Sequence, residues 1–311
     1  MPDLDLIATQ TRLVIRKSQK FSPGGFLQSL LSSVATGLAS LNQIVGDLKD
    51  RVDAPMARQS LHERFDIRST AFLMAVLSDL MAQRFKPAAA ALEPSAIQRI
   101  IIEDASGQVM PKSNAESFPA HGNHHGATAG VKINFAYDLL ADNVISHSLH
   151  AATTQDKTIG RDLVAEVRRG DLVLRDMGYF SLGEFTAIEA CGAWWLTRLP
   201  LTTGVLLENN TPLEKLLKSR RQAIHDLEVI VGEQRKKCRL IAVRAAPEVV
   251  TARRAERRKK ARKNHKTACR KGLVRDGWHL MLTNLEGHQA SVNQLVAVYR
   301  ARWAVEPSEA R

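Results

Sequence analysis

The chain has 311 residues, 44% of them apolar, and a formal net charge of +12. That length holds two domains or one domain with an insertion, and the apolar share is that of an ordinary globular protein. No run approaches the roughly 18–20 apolar residues of a membrane span, and two acids precede the short apolar stretch of the N-terminus, which makes it a poor secretory signal. Cys191, Cys238 and Cys269 are scattered and odd in number, without zinc-ligand spacing, so reduced thiols in a cytoplasmic protein are expected. The charge is concentrated. Between Arg253 and Lys271 lie eleven Lys/Arg and one acid, Glu256, a net of +10 that leaves +2 for the rest of the chain. This points to a localised contact with a polyanion. A Walker-type phosphate loop is absent, which excludes an ATP-driven motor.

In chain order, residues 1–90 read as a helical domain. Phe26, Leu27, Leu30, Leu31, Val34 and Leu38 recur at helical spacing. A second helix fits Leu41–Leu48, and a third, Met56–Phe65, carries Arg58, Gln59, His62 and Glu63 on its polar side. Two helices joined by a short turn, the second bearing Arg58 and Gln59, read as a helix-turn-helix that contacts DNA; the alternative is a helical bundle with a solvated face. A further helix, Ser69–Phe85, is expected to end before Pro87. The linker Pro87–Pro94 marks the boundary.

The next region, 91–199, begins with a strand, Ile97–Glu103, that delivers Asp104. Gly107 is expected to make a tight turn there, placing Asp104 at a strand end. Residues 112–128 read as a flexible polar loop; His121, His124 and His125 in it invite a metal reading, but no acid or Cys spacing accompanies them. Strands follow at Gly130–Tyr137 and Val144–His150, then a helix at Thr158–Arg169. The apolar run Leu172–Leu174 ends in Arg175-Asp176, so Asp176 stands at the carboxyl end of a strand, where α/β sheets gather their ligands. Ser181 is the N-cap of a helix closed by Gly192, and a second apolar run, Ala193–Leu199, follows with Trp194, Trp195 and Arg198. Both tryptophans read as core, with DNA contact as the alternative; Arg198 reads as a phosphate ligand or a surface charge.

Residues 200–276 interrupt this order. Cys238–Arg244 is a strand, and the basic segment Thr251–Gly272, rich in Ala, Arg, Lys and Glu, favours helix. It contains no aromatic residue, so it is not a base-stacking platform; Arg257, Arg258, Lys259 and Lys260 suit phosphate neutralisation. Order returns in 277–311 with the strand Trp278–Asn284 and, after the capping box Ser291/Gln294, a helix over Val292–Glu306. At about 100° per residue, Tyr299, Arg302 and Glu306 fall within about 60° of one another. The residues alone therefore give an α/β chain: a mixed sheet with helices packed on it, after an N-terminal helical domain.

Three acids stand out in this order: Asp104, Asp176 and Glu306. With the blocks IIIEDASGQVMP, LVLRDMGYFS, WHLMLTN and the spacing Tyr-x2-Arg-x3-Glu at Tyr299, Arg302 and Glu306, the chain resembles the DDE transposases, and more narrowly the insertion-sequence-four family. The resemblance covers roughly residues 25–306. It implies a ribonuclease-H-like core, an inserted mostly β subdomain between the second and third acids, and catalysis by Asp104, Asp176 and Glu306 as ligands of Mg2+, with Mn2+ as a substitute. The implied activity is cutting and joining of double-stranded DNA at the ends of a mobile element by two-metal hydrolysis and transesterification. Mg2+ keeps several waters and takes hard oxygen ligands, so a few carboxylates suffice. Tyr299 and Arg302 would contact phosphates near the cleaved end; the alternative for Arg302 is a salt bridge in the core. A homodimer on DNA and a bacterial, nucleoid-associated location are also implied. The family adds a Lys to its signature at a position beyond Arg311, and Pro307 directly follows Glu306. A C-terminally truncated copy is therefore expected, with a DNA-binding remnant that cannot cut as the alternative to an active enzyme.

Overall fold

The computed structural model describes residues 3–16, 21–36, 40–51, 56–89, 96–123, 126–141, 143–219 and 222–302. The chain divides into two units, Met1–Arg84 and Phe85–Arg311. The first is built from α1 (Leu4–Gln10), α2 (Pro23–Ala35), α3 (Leu41–Lys49), α4 (Arg58–His62) and α5, which runs from Ile67 to Ala89. Ser22 caps α2 by accepting from the Gly25 N–H at 3.2 Å, and Pro23 begins the helix. Phe26, Leu48, Leu61, Phe72 and Val76 form the core of this unit.

Three expectations change here. The apolar face of α2 is only partly used: Phe26 is buried with Ser29 and Ser33, while Leu31 and Val34 are exposed. The helix expected over Met56–Phe65 shrinks to the five residues of α4. Its continuation is broken because Asp66 starts α5, accepting from the Arg68 and Ser69 N–H groups at 2.8 and 3.2 Å while Ser69 Oγ accepts from the Asp66 N–H. Finally, α5 continues through Pro87 to Ala89; a proline this close to a helix end removes little of the hydrogen-bond ladder.

Among its described residues the second unit carries ten strands: β1 (Arg99–Met110), β2 (Pro119–Asn123), β3 (Gly126–Asp138), β4 (Asn143–Ala151), β5 (Asp171–Arg175), β6 (Trp194–Arg198), β7 (Val205–Leu207), β8 (Ile224–Val231), β9 (Lys236–Arg244) and β10 (Trp278–Thr283). They form one sheet of order β2-β3-β1-β5-β6-β10-β9-β8-β7, with β4 also on β3. Within it, β4-β3-β1 is antiparallel and β1-β5-β6 parallel. The sheet is mixed and the fold is α/β, as expected. The helices are α6 (Asp156–Leu163), α7 (Leu182–Ala190), α8 (Leu213–Leu217), α9 (Pro247–Lys263), α10 (Arg270–Arg275) and α11 (Val292–Arg302).

β1 is continuous through Asp104 and Gly107, so Gly107 makes no turn. Antiparallel pairing with β3 runs unbroken from Ile101 to Met110 and holds the strand extended. The polar stretch read as a loop contributes β2, paired to β3; His124 and His125 lie outside the described residues. Residues 200–276 extend the same sheet: β9 pairs through Arg239 to Arg244 with the whole of β10, and β8 pairs with β9. The segment contributes helices α8, α9 and α10 as well as strands.

The core runs under the length of this sheet. Trp195 is 0% exposed, stacks on Phe185 with ring centroids 4.3 Å apart, and donates its indole N–H to Glu189 at 2.8 Å. Gly192 ends α7 at φ 73°, a left-handed conformation that favours glycine. Trp195→Ala is expected to destabilise the chain by about 3–5 kcal/mol, read from the urea midpoint.

Candidate active site

The parallel ladder of β1 and β5 ends at the pair Glu103↔Arg175. The next residue on each strand is an acid, so Asp104 and Asp176 sit level with each other just past the last ladder pair. Side chains alternate across a sheet. Glu103 and Arg175 therefore face one side, and Asp104 and Asp176 face the other.

On the acids' side lies α11. Arg302, 0% exposed, reaches both carboxylates: Nη1 is 3.9 Å from Asp104 Oδ1 and Nη2 is 3.5 Å from Asp176 Oδ1. Its guanidinium also stands 5.5 Å from the centre of the Tyr299 ring. Tyr299 is 4% exposed, and its hydroxyl donates to the backbone carbonyl of Arg175 at 3.5 Å. Burial raises the Tyr299 pKa to about 12, with Asp176 pushing the same way against Arg302. The phenol therefore stays protonated. Tyr299 and Arg302 thus support the two acids from inside the fold. Their i, i+3 spacing on one helix face is what lets one helix do both.

On the opposite side a second charged group is fully enclosed. Arg175 Nε is 2.7 Å from Glu103 and Nη1 is 2.6 Å from Glu184, while Nη2 donates to the Gly160 carbonyl. Asn134 donates to Glu103 at 3.4 Å and accepts from the Tyr179 hydroxyl at 2.6 Å. Burial pushes the Glu103 pKa up to about 7, opposed by the Arg175 charge and the Asn134 hydrogen bond. Gly160 leaves the space this group needs: a Cβ there would stand 2.9 Å from Tyr179 and 3.4 Å from Arg175 Nη2. Sequence reading missed Glu103, Arg175 and Glu184. The visible signal was a charged residue, Arg175, at the end of an apolar strand directly before Asp176.

The site residues fit a hard divalent cation. Two carboxylates converge, and Asp176 Oδ1 is buried, makes no hydrogen bond among the described residues and faces the Arg302 charge. Among the described residues no group of three His, Cys, Asp or Glu is arranged to hold a metal; Glu306, the third expected acid, lies outside the described residues.

The chain matches the transposase DDE domain family over residues 95–310. It belongs to the DDE transposase family. Among relatives, the transposase for insertion sequence element IS231D of Bacillus thuringiensis subsp. finitimus is 27% identical over 328 residues, covering 97% of this chain and 68% of the relative. The transposase for element IS1151 of Clostridium perfringens is 19% identical, covering 98% and 69%. A solved piggyBac transposase, in a synaptic complex with hairpin DNA, aligns over 97% of this chain and 57% of its own at 13% identity and a TM-score of 0.40.

The remaining predicted residues of this DDE transposase fall in separate places. Arg198 ends β6, half-buried. The basic segment is split by its own helix: Arg253, Arg254 and Arg257 lie on a half-buried side, and Arg257 is taken up by Asp276 at 2.5 Å. Arg258, Lys259 and Lys260 are exposed. Arg58 and Gln59 are exposed on α4, in the other unit; Gln59 donates to Glu63 at 3.2 Å. No helix among the described residues is long and apolar enough to cross a membrane.

Arg175→Met leaves Glu103 enclosed without its cation and is expected to cost about 3–5 kcal/mol, with much of that loss recovered in the Glu103→Gln/Arg175→Met double variant. Urea unfolding of both variants measures this.

Proposed function

We propose that the chain binds the ends of an insertion sequence as double-stranded DNA, acting as a homodimer, and cuts and joins strands by metal-assisted hydrolysis and transesterification. The observation that carries this reading is the placement of Asp104 and Asp176 level at the end of one parallel ladder, with Arg302 against both.

Asp104 and Asp176, with Glu306 as a third carboxylate, would hold Mg2+ or Mn2+. The ions supply activation of the attacking oxygen and stabilisation of the leaving one. The protein supplies position. Two carboxylates on one guanidinium repel each other, and the Arg302 charge, set against both, offsets that repulsion and holds them together at the site. Tyr299, anchored on the Arg175 carbonyl, holds α11 against the strand end that carries Asp176. The exposed Arg258, Lys259 and Lys260 neutralise backbone phosphates without reading sequence, and the exposed Arg58 and Gln59 offer a second DNA contact from the N-terminal unit. With the Tyr299 ring and the Arg302 guanidinium buried, their part is to position the acids rather than to meet DNA from an open surface.

Incubation with a duplex carrying the element's own end, in Mg2+ or Mn2+, tests this. Nicking at the element end, abolished in Asp176→Asn, is expected. End binding without nicking in either protein would instead support a DNA-binding protein that does not cut. The triple variant Arg258→Ala/Lys259→Ala/Lys260→Ala is expected to weaken duplex binding at all sequences and to flatten the slope of log affinity against log salt by about one for each phosphate no longer neutralised.

A further inference from the structure

Beside the acids, a cavity of about 140 Å³ opens between β6, β10 and α11, lined by Arg198, His279, Tyr299 and Arg300 over an apolar floor that includes Leu280 and Val296. At about 30 Å³ of liquid volume per water, it has room for roughly four or five waters, enough for one phosphate group. Its charged groups arrive from four separate elements. Arg198 comes from β6, His279 from β10 and Arg300 from α11. From α9, Arg253 places Nη2 at 3.3 Å from His279 Nδ1. A guanidinium has donors and no acceptor, so Nδ1 is the accepting nitrogen and Nε2 carries the proton.

We propose that this cavity is a phosphate-binding pocket, in which Arg198, His279 and Arg300 are the ligands and Arg253 orients the imidazole. The proposal draws on the DNA-binding reading above only for the source of the phosphate: a backbone phosphate of the duplex, next to the bond that is cut. Shared lining fixes that position, because Tyr299 belongs both to the cavity wall and to the contact with Arg175 beside Asp176.

Electrostatics support an anion as the occupant. Among the described residues, the charges that act on His279 are the cations Arg253, Arg198 and Arg300. Desolvation and these charges hold its pKa below the ordinary histidine value. Neighbouring strand β9 presents Val243 to His279 as its register partner and adds no charge. Arg253 is likewise lowered by desolvation and by Arg198, with Asp276 opposing, and Asp276 is already engaged by Arg257. Three arginines and a histidine held together in this way repel one another, and a phosphate relieves that repulsion while accepting charge-assisted hydrogen bonds. The Arg253 hydrogen bond orients the neutral imidazole of the empty pocket; filling the pocket favours the imidazolium, in which Nδ1 takes up a proton and gives up that bond, freeing the Arg253 guanidinium for the phosphate, so binding is tighter below the free histidine pKa than above it.

The test is side-chain NMR of His279 in the full chain, assigned with His279→Gln, during pH titrations alone, with inorganic phosphate, and with a DNA duplex. Phosphate and duplex are each expected to raise the His279 pKa by at least about one unit. Arg300→Gln is expected to reduce that rise and to flatten the salt slope of duplex binding by about one. A rise with inorganic phosphate but no duplex binding would support the pocket and count against the DNA reading. An unmoved His279 under both ligands, with the duplex bound, would overturn the pocket.

Discussion

The arrangement of the acids depends on one buried contact, the pair of Glu103 and Arg175 at the end of the β1–β5 ladder. Both side chains are 0% exposed, so neither charge has water to fall back on. Enclosed charges are costly unless every polar atom has a partner. Arg175 is held by an ion pair with Glu103 and by hydrogen bonds to Glu184 and the Gly160 carbonyl. A slip of the register by one residue would turn Arg175 and Glu103 to the other face and break all three contacts. The ion pair thus makes any register other than the observed one expensive, and that register sets Asp104 level with Asp176. A charged cluster on one face of the sheet fixes the chemistry of the opposite face.

The two faces are joined through α11. Tyr299 binds the backbone of Arg175, the same residue whose side chain anchors the cluster below, and Arg302 closes over the acids. Arg302 plays opposite parts in two situations. Against bare carboxylates it is the counter-charge that keeps them together; beside a bound cation it becomes a neighbouring positive group on the same acids. An arginine suits this place because its guanidinium stays charged when buried and offers several donors at fixed angles.

The segment after β6 is organised by charge as much as by apolar burial. In α9 none of the residues is buried, and its basic side chains divide between anchoring and display. Arg257 is tied to Asp276 and Arg253 to the β10 backbone and His279, while Arg258, Lys259 and Lys260 are exposed. So strongly basic a helix would otherwise repel the basic pocket beside it; the internal pairs hold it in place.

Much of this was legible in the sequence. The apolar run ending in Arg175-Asp176, the Ser181 cap and the Gly192 stop are local signals, and they read correctly because a short strand, a cap and a left-handed glycine are each decided within a few residues. The Tyr299–Arg302 spacing likewise placed both side chains on one helix face. Local signals failed where pairing partners decide. Gly107 reads as a turn but lies within β1 because β3 pairs along it; the polar stretch after Pro111 reads as a loop yet holds β2 for the same reason; Asp66 ends the expected third helix by capping the next. The basic run reads as uniform charge, and only the position of Asp276 separates Arg257 from its neighbours. By itself the sequence determined which residues carry charge, where the strand before Asp176 and the helix after Ser181 lie, and the family to which the chain belongs. Tertiary structure alone decided that Arg302 faces inward onto both acids, that Glu103 and Arg175 share one enclosed site, and that Arg198, His279 and Arg300 meet around one cavity. Those contacts join residues far apart in the chain, and long-range pairing is set by packing and register, which no local pattern encodes.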